Sequence, residues 1–128
     1  MLVSDSKSKL TFNVITKVNE LKGEHDDVEV EIGIENEYFN YLSKENFFTK
    51  TELLGLSCRI KNNYFYKYTE ESISFINPNF KILLWGKEEE QYMEIQLYIK
   101  GTSNYYNLSL STNEMREFVK LIDLQTKS

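Results

Sequence analysis

The chain is dominated by short segments in which apolar and polar residues alternate. This period of two is typical of β-strands that bury one face against a core. The apolar positions of the first two segments are Leu10, Phe12, Val14, Val28, Val30, Ile32 and Ile34, with Val18 as a further candidate. The connection from Asn19 to Asp27 contains Gly23 and many charges, as a solvated hairpin loop does. The two segments are therefore predicted to pair as antiparallel strands.

The second half of the chain contains more strands by the same criterion. The clearest alternation runs from Tyr92 to Ile99, and a turn at Gly101 leads into Tyr105 to Leu110, which predicts a hairpin. Three further strands are predicted at Tyr64 to Tyr68, Ile73 to Ile76 and Phe80 to Trp85. An Asn-Pro-Asn turn separates the last two. Residues 36–48 are rich in aromatic side chains that could close over one end of a core, but they follow neither period and are left unassigned.

Two capping boxes mark the predicted helix starts. In each, a Ser or Thr stands three residues before a Glu, so that the hydroxyl and the carboxylate satisfy each other's backbone N–H groups. The pairs are Thr49 with Glu52 and Ser111 with Glu114. The apolar positions that follow are Leu53, Leu54, Leu56, Cys58 and Ile60 in the first helix and Met115, Phe118, Val119 and Ile122 in the second. Cys58 is interpreted as a core residue, and the chain is predicted to end as an amphipathic helix.

The predicted elements define an α+β fold. The smallest architecture that buries all the apolar stripes is an antiparallel β-sheet of about seven strands, curved or folded into two layers, with one internal helix and the C-terminal amphipathic helix. A length of 128 residues fits a single domain, residues 1–128, with enough core to fold without disulfides or metal. The Ser/Lys-rich start, residues 1–8, and the polar end, residues 125–128, are expected to be flexible.

The amino-acid composition limits the classes of function that are expected for this chain. Twenty Asp and Glu against fifteen Lys and Arg give a net charge of −5. This is the wrong sign for a protein that grips phosphate backbones, so nucleic acid is an unfavoured partner. No stretch approaches the roughly eighteen apolar residues of a membrane span, and the start lacks an apolar signal region. With a single cysteine, the chain is expected to be cytoplasmic and without membrane contact.

Candidate catalytic and metal-binding residues are few. The only histidine, His25, lies in the polar loop beside two aspartates, where a solvated role is favoured over catalysis. Glu24 to Asp27 offer ligand atoms for a cation, but consecutive residues that enter a strand point in different directions. The acids Glu88 to Glu90 are interpreted as a soluble turn, and the five glycines form no phosphate-binding loop. We therefore predict no enzyme activity, no cofactor and no metal site.

Acidic residues are concentrated in one window of the chain. Residues 20–37 hold eight carboxylates and one basic residue, Lys22. Its candidate partner-binding residues, here called the acidic stripe, are Glu24, Asp26, Asp27, Glu29, Glu31, Glu35 and Glu37. A stripe that carries only negative charge favours a basic protein partner, because it would accelerate the encounter of the two proteins by electrostatic steering. The alternative is that the stripe is simply the solvated outer face of a strand.

Three segments carry a resemblance to a known family. Phe47 to Leu56 is similar to a capped helix with the pattern L-T-x-E-L-x-x-L, and Ile73 to Ile82 resembles a strand and proline turn with the pattern F-x-E-P-x-L-x-F. Tyr105 to Ser111, followed by Glu114 and Phe118, resembles a closing strand and helix. These are features of the WapI-type immunity proteins, the cytoplasmic immunity proteins of wall-associated polymorphic toxin systems. The chain departs from that family by lacking the usual Trp in the early strand and in the helix, and by an Asn in place of Glu before the proline.

The resemblance implies a non-enzymatic inhibitor that occludes a cognate toxin domain, often a basic nuclease. Two other functions stay open from the sequence. A phage-borne inhibitor of a host nuclease, such as an anti-CRISPR protein, would share the small size and the acidic stripe. A single-stranded nucleic-acid-binding module would stack bases on a tyrosine-rich sheet. Its candidate residues are Tyr64, Tyr66, Tyr68, Tyr92 and Tyr98.

Overall fold

The chain folds into two antiparallel sheets and two helices, which confirms the α+β class. A computed structural model describes residues 2–3, 7–63, 70–87 and 90–127. Within them each sheet has four strands in sequence order, so each is a simple meander. Seven of these strands have four to ten residues, in agreement with the predicted number, and the remaining strand has two.

The first sheet, sheet A, carries the acidic stripe. Its strands are β1 (Leu2–Val3), β2 (Lys9–Val14), β3 (Asp27–Glu35) and β4 (Asn40–Thr49). The predicted antiparallel pairing of the first two apolar segments is confirmed as β2 with β3. A short 3-10 helix, Val18–Glu20, lies in their connection and buries Val18. Inward-facing and outward-facing residues alternate along β2 and β3 as the sequence pattern predicts, because every second side chain of a strand points to the same face.

The second sheet, sheet B, forms from the later segments. Its strands are β5 (Glu71–Ser74), β6 (Phe80–Lys87), β7 (Glu90–Tyr98) and β8 (Tyr105–Leu110). The predicted hairpin of β7 and β8 is confirmed, and Gly101 adopts a φ of 87° in its turn, a conformation that favours glycine. The strand predicted at Tyr64 to Tyr68 lies outside the described residues.

Both predicted helices begin at their capping boxes. Helix α1 (Lys50–Asn62) follows β4 directly, and helix α2 (Thr112–Thr126) follows β8. In each box the Ser or Thr hydroxyl accepts from the Glu backbone N–H while the Glu carboxylate accepts from the N-cap backbone N–H. Each half of the chain therefore has the same order, four strands and then a capped helix. Helix α2 packs against strands of both sheets and against α1, which joins the two halves.

A cluster of phenylalanines joins the layers. Phe12 of β2 lies 5.3 Å from Phe118 of α2 and 6.4 Å from Phe80 of β6, measured between ring centroids. Phe48 at the end of β4 lies 5.4 Å from Phe80 in an edge-to-face contact. All four rings are buried. Burial of a phenylalanine contributes about 1.5–3 kcal/mol, so this cluster is a major source of the free energy that holds sheet A, sheet B and α2 together.

Residues 36–48, which follow no single period, contain most of β4. A β-bulge explains the irregular pattern: between the pairs Val28–Phe48 and Val30–Glu45 the β4 strand has one extra residue. Because of this extra residue both Phe47 and Phe48 are buried, although neighbours on a regular strand face opposite sides.

The interpretation of Cys58 as a core residue is wrong, because the structure places it on the exposed side of α1. The buried side of this helix consists of Leu53, Leu56, Ser57 and Ile60. At about 100° per residue, Cys58 lies on the opposite side of the helix from Leu53 and Ile60. Leu54, also predicted in the apolar stripe, is exposed for the same reason.

Candidate functional site

The acidic stripe follows one strand and the two loops that flank it. Four of its residues alternate along β3 and point to the outer face of sheet A: Asp27, Glu29, Glu31 and Glu35. The alternate β3 residues are buried in the core. Asp27, Glu29 and Glu31 are therefore spaced by two strand residues, about 6.7 Å, whereas Gly33 separates Glu31 from Glu35, which are about 13 Å apart. Glu24 and Asp26 lie in the loop before β3, and Glu37 lies in the turn after it.

The loop before β3 has a structural role at the start of α1. The carbonyl oxygen of Asp26 accepts a hydrogen bond from the backbone N–H of Lys50 at 2.9 Å. The carbonyl oxygen of Glu24 accepts from both the backbone N–H and the hydroxyl of Thr51. Acidic side chains near a helix N-terminus are stabilised by the partial positive charge there. The acids of this loop therefore have a reason to be present besides any partner.

Cross-strand pairing places two lysines beside the acids of β3. Lys9 of β2 is opposite Glu35, and Lys44 of β4 is opposite Glu31. The sequence pattern did not indicate this, because the register of β4 could not be read from the irregular residues 36–48. The outer face of sheet A thus carries four carboxylates of β3 and two flanking lysines, and its charge is still negative.

The carboxylates of the stripe are open to solvent and to a partner. All seven residues are exposed or half-exposed. The ion pairs found among the described residues are Arg59–Glu71, Lys61–Asp123 and Lys100–Glu45, none of which involves the stripe. Glu31 accepts a hydrogen bond of 3.3 Å from the Asn13 side chain on β2. The four carboxylates of the stripe that lie on β3 have fixed attachment points, because the strand backbone sets the spacing of their Cα atoms.

Glu45 is an acidic residue outside the stripe, and its role could not be predicted from the sequence. It lies on β4 but points toward sheet B, where its carboxylate accepts hydrogen bonds from Asn79 at 2.7 Å and from Asn77 at 3.5 Å. Ser43 donates a further bond of 2.7 Å, and the Lys100 ammonium is 3.6 Å away. Partial burial acts to raise the pKa of the Glu45 carboxyl, but the three hydrogen bonds and the lysine charge outweigh it, so the pKa is below its ordinary value. Glu45 joins the sheets and is not part of the stripe.

Of the five tyrosines proposed to stack on single-stranded bases, the structure describes two. Tyr92 and Tyr98 lie on the outer face of sheet B, the side of β7 that faces away from the core. Trp85 of β6 stacks beside Tyr92 with ring centroids 6.0 Å apart, and Tyr105 packs against Tyr98. Tyr64, Tyr66 and Tyr68 lie outside the described residues. One lysine of this face, Lys81, lies 4.8 Å from the Tyr105 ring centroid.

The groups with catalytic or metal-binding chemistry are dispersed. Within the described ranges no three His, Cys, Asp or Glu side chains are arranged to hold a metal ion. His25 is exposed in its loop, as the sequence indicates, and the exposed Cys58 is on α1. Of the helices in the same ranges, none combines the length and apolarity that crossing a bilayer requires.

Comparison of the chain with protein-family models, with curated proteins and with solved structures found no match.

Proposed function

We propose that the protein is a non-enzymatic inhibitor that binds a basic protein partner through the outer face of sheet A. The observation that carries this proposal is the row of solvent-accessible carboxylates on β3, which no ion pair among the described residues neutralises. The sheet fixes the backbone that carries the row, so little backbone freedom is lost when a partner binds. Such a surface favours fast encounter with a positively charged protein.

The proposed partner class is a toxin domain, and in particular a nuclease. Enzymes that act on nucleic acid bind phosphates with Lys and Arg in positive clefts. The carboxylates of Asp27, Glu29 and Glu31, spaced by about 6.7 Å along β3, can occupy such a cleft in place of phosphates and exclude the substrate. The resemblance of the capped helix, the proline turn and the closing strand to the WapI-type immunity proteins supports the same proposal. A phage-borne inhibitor of a host nuclease would use the same surface and the same mechanism.

The test is a capture experiment with a matched pair of baits. The tagged wild-type chain and its Glu29→Lys, Glu31→Lys, Glu35→Lys variant are incubated with extract of the native cell at low and at physiological salt. We expect the wild type to capture a basic protein stoichiometrically, the variant to capture much less of it, and the purified partner to lose its activity when the wild type is added. Equal capture by both baits, or a captured protein whose activity is unaffected, would contradict the proposal.

A single-stranded nucleic-acid module is the second candidate, since Trp85, Tyr92 and Tyr98 share the outer face of sheet B. Proteins of that class combine aromatic stacking with a positive groove. The described part of this face carries Lys81 and Glu94, which balance in charge. A filter-binding assay with single-stranded DNA and RNA at low salt separates the candidates. Our proposal predicts no retention, whereas retention that is lost in Trp85→Ala would favour the nucleic-acid function.

A further inference from the structure

One apolar side chain on the outer face of sheet A lies between two carboxylates of the stripe. Leu42 of β4 is 57% exposed, although it is on a regular part of the strand. Its cross-strand partner is Gly33 of β3, between Glu31 and Glu35. Lys44 is its next neighbour on the same face of β4, because side chains two residues apart on a strand share a face. Leu42 is thus an apolar residue surrounded by charges of both signs.

Gly33 makes room for this side chain. A Cβ atom at position 33 would lie 2.5 Å from the Leu42 Cδ1 atom and 2.9 Å from the Tyr41 carbonyl oxygen. The Leu42 side chain therefore lies directly over the Gly33 backbone, which is buried beneath it. This contact fixes the position of Leu42 but leaves more than half of its surface in water.

We propose that Leu42 is the apolar anchor of the partner-binding face, and that the docking surface of the partner is an apolar recess ringed by Lys or Arg side chains. Protein interfaces commonly have an apolar centre and a polar rim, and a few central residues contribute most of the affinity. Here Leu42 is the centre, and Glu31 and Glu35 belong to the rim. This inference rests on the proposed function and adds the apolar component of the partner.

The surrounding charges specify the kind of occupant. A nucleic acid is repelled by the carboxylates of β3. A second copy of the same face would bring these carboxylates against one another. A basic protein surface satisfies the carboxylates at the rim and buries Leu42 at the centre, so this occupant fits both features of the face.

Two synthetic peptides of equal charge test the inference on the full chain. One alternates Lys and Leu over nine residues, and the other alternates Lys and Ser. We expect the Lys–Leu peptide to bind about tenfold more tightly, because burial of apolar surface adds to the same electrostatic attraction. We also expect chemical-shift changes to centre on the amides of Gly33 and Leu42. The Leu42→Ser variant should lose the tenfold preference, whereas Leu42→Met should keep it. Leu54→Ser, which removes an exposed leucine of α1, is the matched control and should also keep it.

The outcomes separate this inference from the proposed function. Equal affinity for the two peptides, with both dependent on Glu31 and Glu35, would overturn the apolar anchor and leave the acidic surface intact. Binding that is unaffected by Glu31→Lys and Glu35→Lys would overturn both. A dimer of the chain that dissociates in Leu42→Ser would also overturn the inference, since the occupant would then be a second copy.

Discussion

The Glu45 carboxylate of β4 accepts a 2.7 Å hydrogen bond from the Asn79 side chain, and this bond links sheet A to the turn between β5 and β6. Asn77 of the same turn donates to Glu45 and to the carbonyl oxygen of Asn46. The two asparagines therefore attach the proline turn of sheet B to the last part of β4, beside the bulge. The contact keeps the sheets in fixed relation and so stabilises the strand that neighbours the acidic face.

Removal of the Glu45 carboxylate should destabilise the fold. In Glu45→Ala the Asn79 amide and the Ser43 hydroxyl lose their acceptor, while the Asn77 amide keeps its bond to the Asn46 carbonyl oxygen. A hydrogen bond to a charged group contributes about 1.5–3 kcal/mol. We expect the free energy of unfolding, measured in urea at neutral pH, to fall by about that amount. The control Glu37→Ala removes an exposed carboxylate and should change it by less than about 0.5 kcal/mol. A similar loss in both variants would contradict the role of Glu45.

The same residue should make stability depend on pH. Burial raises the Glu45 pKa, but hydrogen bonds and Lys100 lower it further than burial raises it. Because the folded pKa is below the unfolded one, the stabilisation is complete above about pH 5 and is lost as the pH falls through the folded pKa. Asp123 behaves likewise: burial raises its pKa, and the Ser57 hydroxyl and Lys61 lower it further. Between about pH 5 and pH 3 the unfolding free energy should therefore fall in the wild type and less steeply in Glu45→Gln. Identical slopes would show that Glu45 is not coupled to folding.

The two capping boxes should contribute similar amounts to the free energy of unfolding, each through its own helix. Thr49→Ala and Ser111→Ala each remove the hydroxyl that accepts from the third backbone N–H of the helix, at a cost of about 1 kcal/mol. Urea unfolding of the two variants, with Ser103→Ala in an exposed turn as the control, measures this. A cost at only one of the two positions would mean that the second box is not needed for its helix.

Substitution by alanine should change the stability of the fold in opposite directions at Gly33 and at Gly55. Gly33→Ala brings a methyl group against Leu42 and the Tyr41 carbonyl oxygen, and overpacking of this kind costs about 1–3 kcal/mol. Gly55 lies inside α1, and an added Cβ would meet no atom within 4 Å beyond its chain neighbours and the backbone of its own helix, so Gly55→Ala should stabilise by up to about 1 kcal/mol. Thermal unfolding of the two variants gives the sign directly. A stabilising Gly33→Ala would show that Leu42 does not lie over the glycine in solution.

The sequence predicted the regular parts of the fold. Residues such as Phe12, Val30 and Ile95 are buried at every second position, and both helices start at their capping boxes, because these are local rules that need no knowledge of distant residues. The bulge in β4 could not be predicted, since an extra residue changes which side chains face inward. Cys58 was misplaced because apolar residues on α1 occupy more than one side of the helix.

The candidate site was predictable only in part. The alternation of Glu29, Glu31 and Glu35 on an exposed strand face follows from the period of two. The positions of Lys9, Lys44 and Leu42 beside them depend on which strands pair and in what register, and these are tertiary properties. The role of Glu45 likewise depends on the approach of the Asn77 turn from the other half of the chain.

The most direct test of the central claim is the association rate of the captured partner with the purified chain, measured over a range of salt concentrations. We expect Glu29→Lys, Glu31→Lys, Glu35→Lys to slow association by about tenfold or more at low salt, with an unchanged circular dichroism spectrum, because steering charges act on the encounter. The control Glu70→Lys, Glu94→Lys, Glu117→Lys makes the same change in net charge outside the acidic window and should slow association much less. An equal effect of the two triple variants, or a wild-type rate that does not vary with salt, would contradict the acidic stripe as the partner-binding surface.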